Sequence, residues 1–351
     1  MQIRISIPIL AFVFIQCQES VTTHNWFAMD TNMSVSLYGT GRVSEDSAFF
    51  RLEAETERLN GVFSDYSTRS SLAQIKGHIG DTLEIDPEIY SVLTLALETA
   101  DSAHGAFDIT LHDLKGLWGL GSGQAPHVPD SSTIDSVMKD NPYYQSSRDS
   151  IHFLMPLTLL TGHRVVLRRE NLQLDLGAIA KGFVVDKLHE LLNILGFPNH
   201  ILQAGGEIRL GGVKKSGLWS VGIRHPRAAD SLSGLITTPV AHAISTSGDY
   251  ERFFEEGGIR YHHIFDPRTG RPATSANRVC AVTVITESSM HADALSTTLF
   301  VLGPEKGILM AKQYHVAAVW FEDRPTGLCA IAMPEIENAL VLKGVPICGS
   351  H

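Results

Sequence analysis

Residues 174–182 read Leu174-Asp175-Leu176-Gly177-Ala178-Ile179-Ala180-Lys181-Gly182, a strand-like piece that turns into a helix. Apolar residues then recur at helical spacing to Leu195, and Gly196 predicts the end of the helix. The glycines let a ligand approach the helix start, where free N–H groups favour phosphate, and Lys181 adds a cation one turn in. The segment alone is equally compatible with a capped helix carrying an exposed lysine.

The same periodicity predicts three further helices, and the apolar pieces between them predict strands. Expected helices follow the caps at Ser44, Asp86-Pro87 and Ser288-Ser289, and end near Asn60-Gly61, Gly105 and Gly303-Pro304. Expected strands cover residues 33–38, 164–167, 219–223, 261–265, 279–285 and 317–321. Because helices and strands mix without regular βαβ alternation, we predict an α+β fold, a single large domain of mixed sheets with packed helices. Residues 116–162 are the most polar and irregular part.

Composition excludes several classes of protein. The chain has 351 residues, 44% hydrophobic and 19% charged, which is typical of a packed globule rather than a disordered chain. Its net charge is −10, and no Lys/Arg run provides the basic stripe of a nucleic-acid-binding protein. An anionic ligand must therefore be held locally, by backbone amides, a metal ion or one well-placed lysine.

The N-terminus resembles a targeting segment. Arg4 precedes an apolar run over residues 5–15, which is too short to span a bilayer and fits a secretory signal. Cys17 resembles the lipid-accepting cysteine of bacterial lipoproteins, although Gln16 replaces the usual small residue. We therefore expect a signal peptide at residues 1–16, a tether at 17–25, and an exported, periplasmic protein anchored to the inner membrane through Cys17. The alternative is a hydrophobic N-terminal strand of a cytoplasmic protein.

Three cysteines remain after this segment, so at most one disulfide forms. Cys280 lies in the strand-like residues 278–284 and is expected to be a buried apolar residue.

Gly39-Thr40-Gly41-Arg42-Val43-Ser44 approaches a dinucleotide fingerprint. Ser44 replaces its third glycine, and no strand ending in an acidic residue follows about 20 residues later. We interpret this glycine pair as a tight turn.

Asp293 and Thr297 are four residues apart in His291-Ala292-Asp293-Ala294-Leu295-Ser296-Thr297, so their oxygens share one helix face. A carboxylate and a hydroxyl there suit Mg²⁺, which takes few protein ligands and leaves positions for substrate phosphates. The alternative is a capped helix with a solvated aspartate in its first turn.

Residues 246–252 and 261–272 form a fourth candidate segment, in which a strand runs into a Pro/Gly turn. On a strand, His262 and His263 point to opposite faces and cannot form a paired metal site. One of them can face a cleft, or the segment is a hairpin corner with one exposed histidine.

Together these segments resemble the FAD:protein FMN transferase (ApbE-like) family, over roughly residues 26–330. Eight pieces match in the family's order: Met29-Asp30-Thr31, Phe63-Ser64-Asp65-Tyr66, residues 105–110 with Leu117-Trp118-Gly119, residues 175–182, Ala204-Gly205-Gly206-Glu207, residues 246–250, residues 263–270 and residues 292–297. The departures are Asp30, which replaces the usual glycine, the unusual residues 111–114, and an apparent insertion at 149–163.

The resemblance implies an α+β enzyme, exported or lipid-anchored, that splits FAD with Mg²⁺. Such enzymes attach FMN by a phosphoester to a Thr or Ser of a target flavoprotein and release AMP. It implies a transferase-like domain at residues 26–335 and a C-terminal extension at 336–351. The implied FAD contacts are Met29, Tyr66, Phe107, Asp108, Ile109, Asp175 and Lys181. The implied metal ligands are the Ala178 carbonyl, Asp293 and Thr297.

His263 matches a histidine that assists proton transfer in the family, and Asp293 is the alternative base. Tyr66 and Phe107 offer ring faces for the flavin or adenine, or simply pack in the core. Two other functions stay open: a Mg²⁺-dependent FAD pyrophosphatase, in which water reaches the phosphorus, and a non-enzymatic flavin-binding protein. A non-enzymatic flavin-binding protein would not need Asp293 and Thr297 as metal ligands.

Overall fold

An eight-stranded sheet organises the fold, in the order β1-β2-β6-β7-β10-β15-β16-β17. The computed structural model describes residues 21–64, 67, 69–76, 78, 80–121, 125–144, 156–169, 172–214, 217–273 and 278–349. The expected signal peptide, Cys17, Tyr66 and residues 149–155 of the expected insertion lie outside these residues. No helix within the described ranges has the length and apolar character needed to cross a bilayer.

The strands are β1 Val21–Ala28, β2 Thr31–Tyr38, β3 Thr82–Glu84, β4 Leu157–Leu160, β5 Arg164–Leu167, β6 His200–Ala204, β7 Glu207–Gly211, β8 Trp219–His225, β9 Ala228–Thr238, β10 Ala243–Gly248, β11 Phe253–Glu256, β12 Ile259–His262, β13 Phe265–Asp266, β14 Arg271–Pro272, β15 Val279–Thr286, β16 Ala317–Arg324, β17 Gly327–Ala332 and β18 Leu340–Leu342. The helices are α1 Glu45–Phe63, α2 Pro87–Ser102, α3 His112–Leu117, α4 Ser131–Met138, α5 Ala180–Leu195, α6 Ser289–Gln313 and α7 Pro334–Glu337, with a 3₁₀ turn at Ala73–Ile75.

Neighbouring strands pair antiparallel throughout the described sheets. Two three-stranded sheets, β18-β9-β8 and β3-β5-β4, and the hairpins β11-β12 and β13-β14 complete the strand pairing. The predicted α+β fold in one domain is confirmed, because the helices pack on these sheets instead of alternating with parallel strands.

Three hydrophobic clusters hold these layers together. The largest joins α1, α2, α5 and α6 to the eight-stranded sheet. A second lies between that sheet and β18-β9-β8, around Trp219, Ile236 and Phe321. A third surrounds Trp118, whose indole N–H donates to the Gly270 carbonyl at 3.2 Å. This bond ties the α3 region to the turn between β13 and β14.

Several predicted boundaries match the structure. Asp86 caps α2 by accepting from the Glu88 N–H at 2.8 Å, and Gly196 ends α5 with a φ of 86°. The Gly39–Ser44 segment is a turn between β2 and α1, with Gly39 at a φ of 90°. A Cβ on Gly41 would lie 2.3 Å from the Phe197 ring, so glycine is required there by close packing.

Other boundaries were wrong. Helix α1 continues past Gly61 to Phe63, because Val62 and Phe63 are buried in the main cluster and their packing outweighs the low helix propensity of glycine. By contrast, the predicted helix end at Gly303-Pro304 is confirmed, because α6 breaks at Gly303, where φ is 69° and ψ is 175°. The sequence analysis missed only the second half of α6, which runs from Pro304 to Gln313. The strand expected at 261–265 is split between β12 and β13.

Residues 21–25 and 336–349 are more structured than the sequence suggested. Residues 21–25, expected in a tether, form the first part of β1. In the expected C-terminal extension, β18 pairs with β9, and Ile336 and Val345 are buried in the second cluster. A disulfide joins Cys329 to Cys348, and Cys280 is free and buried. The extension therefore packs as part of the fold.

Candidate active site

A cleft of about 670 Å³ lies where the β1–β2 turn, the starts of α5, α6 and β7, and the end of β10 meet. Nine of the predicted site residues line it: Met29, Phe107, Asp108, Asp175, Ala178, Lys181, His263, Asp293 and Thr297. Ile109 is not among the lining residues, and its side chain is buried in the main cluster. Tyr66 falls outside the described residues.

The close approach of α5 and α6 positions Asp293. A Cβ on Gly182 would lie 2.2 Å from the Ser289 carbonyl oxygen, so only glycine allows this approach. Asp186 of α5 accepts hydrogen bonds from the N–H groups of Ser289, at 2.8 Å, and Met290, at 3.0 Å. The first turn of α6 is therefore capped by a carboxylate of its neighbour, which fixes the register of the two helices.

Lys181 is held among acceptors on the cleft wall. Its Nζ donates to the Gly177 carbonyl at 2.9 Å and lies 3.4 Å from Asp293 Oδ1 and 3.8 Å from Glu207 Oε1. Burial opposes its protonation, but the Asp293 and Glu207 carboxylates raise its pKa overall. Lys181 therefore stays an ammonium.

Glu207, at the start of β7, is a site residue that the sequence analysis did not assign. It is 3% exposed, lines the cleft, and its Oε2 has no hydrogen-bond partner among the described residues. Burial raises its pKa, and the nearby Asp293 carboxylate raises it further. In the sequence, the position of Glu207 directly after Gly205-Gly206 was the feature that could have indicated its role.

The donors expected to hold Mg²⁺ all line this cleft. Asp293 is 3% exposed, and its Oδ2 accepts from the Gly182 N–H at 3.0 Å. The Thr297 hydroxyl is hydrogen-bonded to Ser247 Oγ at 3.1 Å. The set of a carboxylate, a hydroxyl and the Ala178 carbonyl contains only hard oxygen donors, and the unpartnered Glu207 Oε2 adds a further acceptor next to Asp293. These residues fit a magnesium ion.

Asp175 is ion-paired with Lys115, a residue of α3 that the sequence analysis also left unassigned. Burial opposes ionisation of Asp175, but the Lys115 ammonium and the Gly177 N–H, at 3.0 Å, together lower its pKa. The Asp175 N–H donates to the Ile109 carbonyl at 2.7 Å. Ile109 thus contributes to the site through its backbone.

Asp108, which also lines the cleft, is held by three hydrogen bonds. It accepts from Asn141 Nδ2 at 2.6 Å, the Thr110 N–H at 2.8 Å and the Thr110 hydroxyl at 3.1 Å. Burial raises its pKa although all three bonds oppose this shift. The adjacent Phe107 is 3% exposed and belongs to the main cluster while also lining the cleft.

The β1–β2 turn carries Met29 and Asp30 at the cleft. Both residues have left-handed backbones, with φ of 52° and 54°, as a two-residue turn of type I′ requires. Aspartate tolerates this conformation better than most residues, so Asp30 can replace the family's usual glycine.

His263 lines the cleft as a neutral imidazole. Its Nδ1 lies 3.3 Å from the Arg252 carbonyl, which only accepts, so Nδ1 carries the proton and Nε2 is left as an acceptor. Burial, followed by the Lys115 charge, lowers the pKa of His263 to about 3. His262 is fully buried against Phe300, in agreement with the prediction that the two histidines face opposite ways.

An ion pair anchors the segment before His263. Asp249 is 3% exposed and accepts from both Nη1 and Nη2 of Arg227 at 2.7 Å. This bidentate contact fixes the end of β10. Arg252, three residues further, also lines the cleft, and the sequence analysis did not assign it to the site.

The fold and the cleft define an α+β protein in which carboxylate–lysine ion pairs and a neutral histidine line a ligand-sized cavity. The chain belongs to the ApbE family, whose model matches residues 29–320.

Relatives and solved structures agree with this membership. The chain is 35% identical over 271 residues to the FAD:protein FMN transferase of Vibrio cholerae, covering 76% of this chain and 77% of the relative. It is 34% identical over 263 residues to the FAD:protein FMN transferase of Treponema pallidum, covering 72% and 70%. Its fold is similar to the flavin transferase ApbE from Vibrio cholerae, with a TM-score of 0.80, 28% identity and coverage of 92% and 100%. The ApbE protein of Thermotoga maritima gives a TM-score of 0.78 at 28% identity, with coverage of 91% and 99%.

Proposed function

We propose that this protein transfers FMN from FAD to a Thr or Ser hydroxyl of a target flavoprotein and releases AMP. Relatives over 70% or more of the chain are FAD:protein FMN transferases. The observation that carries the chemistry is the shared cleft, in which a neutral His263 and the Lys181–Asp293 pair line one cavity.

The cleft offers separate surfaces for the two ends of FAD. Met29 and Phe107 provide apolar contact for a ring system. The FAD contact that the family resemblance implies for Tyr66 lies outside the described residues. Asp108 and Asp175 provide carboxylate acceptors for hydroxyl or ring N–H groups. Lys181 provides a cation for a phosphate, because its pKa stays raised in spite of burial.

We propose that Asp293, Thr297 and the Ala178 carbonyl hold Mg²⁺. When bound, this ion would supply further positive charge to the pyrophosphate, in a cleft lined by more carboxylates than lysine and arginine side chains. Gly182 orients Asp293 by donating its N–H to one carboxylate oxygen, and Lys181 neutralises part of its charge.

His263 is the proposed general base. Its neutral Nε2 can take the proton of the acceptor hydroxyl, whose oxygen then attacks the FMN phosphorus while the bond to AMP breaks. Asp293 is the weaker candidate, since its oxygens already accept from Gly182 and Lys181. Positioning the acceptor in line with the phosphorus is the main contribution expected of the cleft.

We also propose that the protein is exported and lipid-anchored at Cys17. The apolar run at residues 5–15 motivates export. The Cys329–Cys348 disulfide supports it, because such bonds persist mainly in oxidising compartments.

The test is to incubate the purified protein with FAD, Mg²⁺ and a candidate flavoprotein, and to analyse the products by mass spectrometry. We expect FMN bound covalently to the acceptor and an equal amount of AMP. Free FMN and AMP with no mass gain on the acceptor would instead assign FAD pyrophosphatase activity. FAD binding without AMP release would indicate a flavin-binding protein.

A further inference from the structure

Three lysine or arginine residues are among the described residues that line the cleft: Lys115, Lys181 and Arg252. Lys115 is paired with Asp175, and Lys181 lies between Asp293 and Glu207. No described carboxylate pairs with Arg252, and its side chain is exposed at the cleft. Arg252 is therefore the lining cation whose charge the described residues leave unpaired.

The cleft needs such a cation. Seven carboxylate residues line it: Asp30, Glu57, Asp108, Asp175, Glu207, Glu251 and Asp293. The pyrophosphate of FAD brings two further negative charges into this surface. Since Lys115 and Lys181 already neutralise buried carboxylates, a guanidinium without such a partner is the protein group best able to bind the phosphate.

The backbone places Arg252 beside the proposed base. Its carbonyl accepts from the His263 N–H at 3.1 Å and from His263 Nδ1 at 3.3 Å. The charge of Arg252 also acts on both His263 and Lys181, opposing protonation of each, so the guanidinium lies within electrostatic range of both side chains. Arg252 thus lies where the base and the phosphate site meet.

We propose that the Arg252 guanidinium binds the phosphoryl group under attack, as a catalytic residue of the transfer, a role that rests on the proposed function. In this step the acceptor hydroxyl gives its proton to His263 Nε2, and its oxygen forms a bond to the FMN phosphorus. The bond from that phosphorus to the bridging oxygen breaks, and AMP leaves with the electron pair. Arg252 donates N–H bonds to the non-bridging oxygens and neither gains nor loses a proton.

The decisive variant is Arg252→Met, which keeps the backbone carbonyl that orients His263 but removes the guanidinium. We expect kcat for AMP release to fall roughly 100-fold and the Kd for FAD, measured without metal, to rise about tenfold. Added guanidine hydrochloride at millimolar concentration should restore part of kcat in this variant and leave the wild type unchanged. Arg51→Met, an exposed position of α1 outside the cleft, is the matched control and should behave as wild type.

If kcat and Kd of Arg252→Met stay within threefold of the wild-type values, the proposed role is wrong. It is also wrong if kcat falls, thermal unfolding is unchanged and added guanidine does not restore kcat. If Arg252→Met does not fold, Arg252→Lys decides: about a tenfold loss of kcat supports the forked contact, and an unchanged kcat refutes it. Failure of the wild type to release AMP would refute the proposed function instead.

Discussion

The backbone N–H of Gly182 lies 3.0 Å from Asp293 Oδ2, so α5 holds the proposed magnesium ligand of α6 directly by its main chain. The contact exists because position 182 has no side chain: a Cβ there would lie 2.2 Å from the Ser289 carbonyl oxygen. One glycine therefore sets both the helix spacing and the orientation of the carboxylate.

Gly182→Ala should force the two helices apart and displace Asp293. We expect a loss of roughly 1–3 kcal/mol in the free energy of unfolding, typical of overpacking, together with loss of most FAD cleavage. Gly61→Ala is the control, because a Cβ at this helical position meets no atom within 4 Å. That change should leave activity intact and stabilise the fold by up to about 1 kcal/mol. Urea titrations and AMP release measure both, and an active Gly182→Ala enzyme would contradict the geometry.

Asp293→Ala removes the carboxylate of the proposed metal set. We expect Mg²⁺-dependent FAD cleavage to be abolished while FAD still binds through the other cleft residues. AMP release and FAD fluorescence, each with and without Mg²⁺, separate these effects. Asp101→Ala, at the exposed end of α2, is the control. Unchanged AMP release by Asp293→Ala would refute the assignment of Asp293 as a magnesium ligand.

His263→Gln should lower the rate of FMN transfer by roughly 100-fold or more while FAD affinity stays within a few-fold of wild type. Because burial holds the pKa of His263 near 3, the base is neutral at every pH above that value. Protonation of His263 should therefore not lower the rate of FMN transfer by the wild type between pH 8 and 5. His127→Gln, exposed and outside the cleft lining, serves as control. Full transfer activity in His263→Gln would show that another group accepts the proton of the acceptor hydroxyl.

Acid should destabilise the fold through His200. This residue is fully buried, its Nε2 lies 2.9 Å from His189 Nδ1, and burial lowers its pKa to about 3. The unfolded chain binds a proton near pH 6.5, so stability is complete above that pH and falls as the pH drops toward 3. From this group we expect a loss of about 2 kcal/mol between pH 7.5 and 5.

Urea unfolding at the two pH values measures that loss. His200→Asn should be less stable at pH 7.5 but less sensitive to pH. An equal pH dependence in the variant and the wild type would assign the acid sensitivity to other groups.

Export can be followed with the native N-terminus in place. Expressed in a bacterium, the chain should be found in the membrane or periplasmic fraction, about sixteen residues shorter if Cys17 is the lipid acceptor. Cys17→Ser should release the protein from the membrane without changing FAD cleavage in a detergent extract. Full-length protein in the cytosol would refute the signal assignment.

Sequence patterns predicted the elements and residues whose signals are local. The Asp86 cap, the Gly196 stop and the i,i+4 pair Asp293–Thr297 all depend on neighbours within one helix. Lys115 and Glu207 were not assigned, because their partners Asp175 and Asp293 lie far away in the sequence. Helix α1 was ended too early for the same reason: burial of Phe63 depends on packing against α5, which residues 44–61 alone do not show.

The cleft draws on residues from Phe27 to Thr297, which span most of the matched region 29–320. A chain that emerges N-terminus first exposes the β1–β2 turn long before α6 has been synthesised. In the eight-stranded sheet, β6 pairs with β2, although β6 follows α5 in the sequence. The cavity can therefore form only after this pairing has closed a long loop of the chain. We therefore expect catalytic competence to arise late in biogenesis, and we expect a nascent or truncated chain that lacks α6 not to cleave FAD.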